Sequence, residues 1–249
     1  MDDAAFLAYL EQSGRLTSPD NVTPAYRREL LRLMAGFVDS ELAAAAGFAE
    51  IINKAPTLSG RQLMARMVLE KICHGERVLT LMQPFGTDPD LYAGLHPWEN
   101  RVERAEDLGV ERRAGDMRLN VFHYPLEGWL DALVMNLLMG EASLIQLAEL
   151  AGCSYQPLAE TIAEILPAEE RHLLAGVEKL QELAHDSGLG EIRSSITYWR
   201  PRVAASFGSD ESPRFEPLAR FGLRHRANRD LRSRWSQAVD ERLVALGVS

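Results

Sequence analysis

Cysteine is scarce in this chain: Cys73 and Cys153 are the only two, and they form no CxxC pair. A disulfide framework is excluded, and both are expected to be small buried thiols in a reducing cytosol. Long apolar stretches are missing as well. No uncharged run reaches the ~18 residues that a membrane helix needs, so no membrane role is expected. The opening Met1-Asp2-Asp3-Ala4 lacks the basic residues that begin a secretion signal, and a cytoplasmic protein is expected. Basic side chains are in deficit, with 27 Lys and Arg against 36 Asp and Glu and a net charge of −9. Such a surface repels a phosphate backbone and disfavours a nucleic-acid partner. Strict two-residue alternation is rare, which argues against a sheet. Repeats, low-complexity tracts and an obvious interdomain linker are also absent.

Helical periodicity is abundant, in a chain of 249 residues with ordinary globular composition, 46% hydrophobic and 25% charged. Gly and Pro punctuate it at Ser18-Pro19-Asp20, Ala55-Pro56, Pro84-Phe85-Gly86, Pro89, Pro97, Ala151-Gly152, Ser187-Gly188, Pro201 and residues 207–213. The intervals predict helices over 24–53, 57–83, 99–112, 119–150, 155–186, 189–204 and 226–246. Thr23-Pro24 and Thr57-Leu58 read as helix starts, and Gly86 as the residue after an end. The expectation is one all-α domain: an N-terminal arm over 1–23, a four-helix bundle over 24–186, and a helical extension over 187–249. From Gly190 onward there are eleven Arg and no Lys against seven acids. Such a basic tail on an acidic body is commonly a solvated or partner-facing surface.

Stepping 100° per residue shows what shares each apolar face. Leu30, Met34, Phe37, Val38, Ala45 and Phe48 form the first stripe, with Glu41 in its middle. Leu63, Met64, Met67, Val68, Val78, Leu81 and Met82 form the second, with Lys71 near its centre, His74 within it and Glu70 at its edge. The third segment, around 126–145, is apolar nearly all round, which makes it central, yet it carries Asp131. In the fourth, Leu158, Ile162, Ile165, Leu173, Leu180 and Leu183 face inward with Glu169 and His172. A lone inward His or Glu is usually a hydrogen-bonded core residue. Four helices that each turn ionisable groups inward form a more specific pattern, because a buried charge is costly unless paired or bound to metal. Glu169 and His172 are three residues apart and lie on one side of a helix, so one ion can take both. Inward carboxylates with Glu-x-x-His on a four-helix bundle is the arrangement of ferritin-like di-iron proteins.

Several stretches in order carry a closer resemblance. They are Thr23-Pro24-Ala25-Tyr26-Arg27, Ala55-Pro56-Thr57-Leu58, Tyr124-Pro125 with Trp129 and Asp131, and Cys153-Ser154-Tyr155-Gln156-Pro157. Trp199-Arg200-Pro201, Phe207-Gly208 and Leu231-Arg232-Ser233-Arg234 follow. With them the chain resembles the phenylacetic acid catabolic protein family, and within it the A (catalytic) subunit of ring-1,2-phenylacetyl-CoA epoxidase. The resemblance implies a ferritin-like bundle in which two irons activate oxygen. It also implies an aryl-CoA substrate and association with itself or with a related sister subunit that lacks the metal site. The ligands it implies are Glu41, His74, Asp131, Glu169 and His172. One fails to carry over, because the family's Glu three residues before the second-helix His falls on Lys71. Only three lysines, Lys54, Lys71 and Lys179, occur in the whole chain.

An ammonium beside a dication is repulsive by several kcal/mol at an effective dielectric near 20. Three carboxylates and one ammonium leave a charge of −2 where the family's four carboxylates balance two divalent ions. That favours one iron or none over two. Lys71 could replace the metals through ion pairs with Glu41, Asp131 and Glu169, the reading favoured here. It could instead take one metal's place while Glu169 and His172, with Glu41 or His74, hold the other. Glu70 could substitute as ligand if a π-bulge turned it inward. Carbamylation could make Lys71 itself a bridging carboxylate, or a neutral Lys71 could act as a nucleophile. If an oxygenase persists, metal carries the oxygen chemistry. Arg220, Arg224 and Arg226 are then candidates for CoA phosphates, although such arginines are more often a solvated helix face.

Overall fold

Thr23 and Thr57 start the two helices of the bundle's first hairpin. Thr23 Oγ1 accepts a hydrogen bond from the Tyr26 N–H at 3.3 Å, and Thr57 Oγ1 accepts one from the Gly60 N–H at 3.1 Å. The computed structural model describes residues 3–113, 115–187 and 189–248. Its α-helices are α1 (Asp3–Glu11), α2 (Pro24–Ile51), α3 (Leu58–Met82), α4 (Pro89–Ala93) and α5 (Trp129–Ala151). They continue with α6 (Gln156–Ser187), α7 (Gly190–Ala205), α8 (Phe215–Arg220) and α9 (Asn228–Ala245). The fold is all-α and ferritin-like. Among the described residues the only β pairing is an isolated parallel bridge between Leu16 and Tyr155.

Long amphipathic helices bury their stripes against one another. Helix α2 packs along α3, α5 along α6, and α3 meets α6, while α2 and α5 touch sparingly. Helices α7 and α9 then cover α5. Two glycines let α5 approach α6 closely. A Cβ on Gly140 would come within 3.2 Å of Leu173, and one on Gly176 would strike the Asn136 amide. Helix α5 is the one described helix long and apolar enough to cross a membrane, but most of it lies inside the bundle.

Several sequence expectations need correction. Residues 99–112 form no helix, because their polar groups pair at long range. The Val102 N–H donates to the His123 carbonyl, the Leu108 N–H to the Tyr124 hydroxyl, and the Asn120 amide to the carbonyls of Leu108, Gly109 and Glu111. The segment 119–150 is broken. A 3-10 turn over Asn120–His123 precedes Pro125, and α5 restarts only after Gly128, whose φ of 133° is accessible to glycine. The N-terminal arm contains α1, which buries Phe6 against Tyr26 and Phe221. Cys153 is buried as expected, whereas Cys73 is exposed. The arginines of the C-terminal extension keep solvent-facing side chains, and two of them also reach buried glutamates on α5, Arg226 to Glu149 at 3.1 Å and Arg242 to Glu141 at 2.8 Å.

Two apolar clusters fill the interior. One gathers Phe48, Met67, Leu138, Leu173, Trp199 and Trp235, and the other gathers Tyr26, Met34, Val38, Val78, Ile162 and Ile165. On α2, α3 and α6 the boundary between them falls at Glu41, at Lys71 and His74, and at Glu169 and His172. The ionisable groups are the seam between two cores.

Candidate metal centre and its charge cluster

The helical period that lays down the apolar stripes also sets the seam residues facing one another. Glu41, Lys71, His74, Glu169 and His172 are all buried. The Lys71 ammonium donates to Glu169 Oε1 and Oε2 at 3.1 and 3.0 Å and to Glu41 Oε1 at 3.4 Å. His74 Nδ1 lies 3.1 Å from Glu169 Oε1 and 3.4 Å from Glu41 Oε2. His172 Nδ1 is 3.5 Å from Glu169 Oε1, and its Nε2 is 2.6 Å from Glu70 Oε2. Glu70 therefore joins from the edge of a regular α3, by reaching across to His172 and without a π-bulge.

Burial opposes charge on Lys71, yet the Glu169 and Glu41 carboxylates outweigh it and hold its pKa above the ordinary lysine value. Burial likewise opposes charge on His74, and its hydrogen bonds to Glu169 and Glu41 raise its pKa to about 9. Desolvation works against the Glu169 carboxylate, but Lys71, His172 and His74 hold its pKa well below the usual range. Lys71 and protonated His74 thus match Glu41 and Glu169 charge for charge.

Asp131 does not join this cluster, contrary to the expectation that Lys71 pairs with it. Its carboxylate accepts from Arg104 Nη1 at 2.8 Å, Ser195 Oγ at 2.7 Å, Trp199 Nε1 at 2.8 Å and the Glu127 N–H at 3.0 Å. Burial raises its pKa, and these partners, Arg104 foremost, bring it below the ordinary aspartate value. Asp131 sits in the first turn of α5 and ties that helix start to α7 and to the Arg104 loop. Farther along α5, the residues that meet α6 near His172 are Asn136, whose amide donates to the His172 carbonyl at 3.1 Å, and Gly140 against Leu173. Neither is a carboxylate.

Among the described residues, Glu41, His74 and Glu169 form the one group placed to hold a metal ion, with ligand atoms all within 4.8 Å of one another. The three arginines proposed for CoA phosphates part company. Arg226 is committed to Glu149, Arg220 is exposed on α8, and Arg224 lines a cavity between α2 and α5. Sequence reasoning missed Arg104, Ser195 and Trp199 as the partners of Asp131. The one available signal was that Trp129 and Asp131 open the central helix directly after Pro125 and Gly128.

The family described as phenylacetic acid catabolic protein matches residues 9–249. The chain is also 23% identical over 246 residues to the A subunit of 1,2-phenylacetyl-CoA epoxidase from Escherichia coli (strain K12). That match covers 96% of this chain and 74% of the relative.

Proposed function

This chain belongs to the phenylacetic acid catabolic protein family, and on that premise we propose that it is an epoxidase-subunit-like bundle protein whose metal centre has been replaced by an internal ion-pair cluster. It resembles the epoxidase's catalytic chain in fold and belongs to aromatic, phenylacetate-type catabolism, but it does not itself carry out an iron-dependent oxygenation. The single observation that supports this most is the Lys71 ammonium, 3.0–3.4 Å from both Glu41 and Glu169.

A ferritin-like di-iron site draws a carboxylate from each of two helices and a Glu-x-x-His pair from each of the other two. Here α3 offers Lys71 in place of the Glu, and at the level of His172 α5 offers Asn136 and Gly140. A divalent ion about 4 Å from the Lys71 ammonium would meet a repulsion of about 8 kcal/mol at an effective dielectric of 20. The carboxylates are already neutralised by Lys71 and His74, so the charge that would attract a second or even a first ion is spent. Two irons do not fit these residues.

Glu41, His74 and Glu169 support a second reading, a one-ion oxygenase acting on an aryl-CoA thioester, since their ligand atoms converge within 4.8 Å. That ion must displace Lys71. In a larger assembly, the chain would pair with a sister ferritin-like chain or with a second copy of itself. Exposed Leu69 and Ile72 on α3 and Leu174 on α6 flank the Glu70–His172 contact and suit such a face.

Metal analysis of protein made in iron-replete medium, together with anaerobic titration by ferrous ion, tests the proposal. Iron well below one per chain is expected, with no aryl-CoA-dependent oxygen uptake. Close to one iron with such uptake favours the second reading, and two irons per chain overturn both.

A further inference from the structure

Helices α3 and α6 lie side by side on one flank of the bundle, joined from within by the Lys71–Glu169 pair. Their outward stripes look into solvent. Among the described residues, four of the nine large apolar side chains that are exposed sit on these two helices, more than on any other adjoining pair of elements. They are Leu58, Leu69 at 61% exposure and Ile72 at 45% on α3, and Leu174 at 46% on α6. Clustered apolar exposure of this kind marks a surface built to be covered. Glu70 lies between the two stripes. Its side chain is 28% exposed, whereas those of Glu41, Lys71, His74, Glu169 and His172 are all below a tenth, so water reaches the charge cluster from this flank through Glu70.

Charge on the flank is divided by sign. Exposed on α3 are three arginines against one glutamate, and exposed among the described residues of α6 are five glutamates against one arginine. Arg77 is spent on Glu164 within the chain. Arg66 and Glu178 have no ion-pair partner among the described residues. The Arg77–Glu164 and Glu70–His172 contacts show that α3 and α6 run antiparallel, and they set Leu69 level with Leu174 and Arg66 nearly level with Glu178. A face that is basic along one helix and acidic along the next is the complement of itself.

We propose that this flank binds a second copy of the chain, about a two-fold axis parallel to α3 and α6 that lays α3 of each copy on α6 of the other. Such a rotation keeps every residue at its level along the helices. Leu69 of one copy then meets Leu174 of the other and Arg66 meets Glu178, each contact being made twice. Stacking each helix on its own copy would instead set arginine against arginine and glutamate against glutamate. Helix α3 is 25 residues long, and two helices side by side over that length offer roughly 700 Å², close to the ~800 Å² per partner of a stable interface. Docking covers Glu70, so each copy completes the enclosure of the other's charge cluster. The proposal rests on the assembly named in the reading above and is independent of whether the cluster takes up iron.

Sedimentation velocity of the full chain over about 1–100 μM, with maleimide labelling of Cys73 at the same concentrations, tests it. Cys73 is the exposed cysteine and lies on α3, while Cys153 is buried. A dimer is expected, with Cys73 labelling slowed several-fold as the concentration rises. Arg66→Glu and Glu178→Arg, each alone, are expected to weaken association at least about tenfold, because like charges then face each other twice. Mixed in equal amounts, the two variants are expected to pair about as tightly as the parent, a rescue that a folding defect would not give. Leu69→Glu is expected to leave a monomer whose circular dichroism matches the parent. A monomer throughout the range overturns the proposal and leaves the reading of the charge cluster standing, since metal analysis decides that reading separately. A dimer in which Cys73 labels at the monomer's rate, or which ignores both charge reversals, uses another face and overturns the proposal too.

Discussion

Lys71 Nζ and Glu169 Oε2 meet at 3.0 Å across the α3–α6 contact, inside the seam between two apolar cores. The pair is nearly free of solvent, with side-chain exposures of 8% and 4%. A buried pair of this kind is worth little against apolar packing, yet breaking it by removing one partner is strongly destabilising.

Lys71→Met should therefore destabilise the fold by roughly 3–5 kcal/mol, because Glu41 and Glu169 are left with too little positive charge. Lys71→Glu should be at least as unstable in chelator and should regain stability with a divalent ion. It should bind one ion per chain and not two, since α5 brings no carboxylate opposite His172. Urea unfolding with and without metal measures both effects. A Lys71→Glu protein as stable as the parent in chelator contradicts the pairing.

His74 gives the cluster a pH dependence of definite sign. Its pKa rises from 6.5 to about 9 on folding. The stabilisation it brings is complete below pH 6.5 and is lost as pH climbs through 9, up to about 3 kcal/mol in all. Denaturant midpoints taken from pH 6 to pH 10 should fall over this window, and His74→Gln should flatten the fall. A parent protein as stable at the top of the window as at the bottom contradicts a protonated His74.

Asp131→Asn should cost about 2–4 kcal/mol by unpairing Arg104 and weakening the Ser195 and Trp199 contacts. It should leave metal content unchanged. Thermal unfolding and metal analysis of the same sample separate a brace from a ligand.

The four long helices are legible in the amino-acid pattern because stripe and punctuation agree. Thr23, Thr57 and Gly86 mark their ends, and Glu41, Lys71, His74, Glu169 and His172 fall on the buried faces that helical geometry assigns them. Asp131 shows where that arithmetic stops. A helix apolar all round has no single inner face, so the pattern cannot say whether its carboxylate looks toward the bundle or toward α7. The deciding partners, Arg104, Ser195 and Trp199, lie 27 or more residues away along the chain. The 99–112 segment fails for a related reason: its local pattern suits a helix, but the Tyr124 hydroxyl and the Asn120 amide claim its backbone. Glu70 lies on a helix edge, and only the fold brings it to His172.

Gly176→Ala should destabilise by about 1–3 kcal/mol, since the new methyl group meets the Asn136 amide. Asn136→Ala should relieve most of that penalty, so the two changes together should cost less than their sum. A double-mutant cycle by chemical denaturation measures the coupling, and simple additivity contradicts the close α5–α6 contact.

On the proposed reading, the Lys71 ammonium occupies the place of metal. Anomalous diffraction at the iron edge, from crystals grown with excess ferrous ion, addresses it directly. No iron peak is expected among Glu41, His74 and Glu169, with Lys71 Nζ in hydrogen-bond contact with both carboxylates. Two iron peaks there, with Lys71 turned out to solvent, would contradict it.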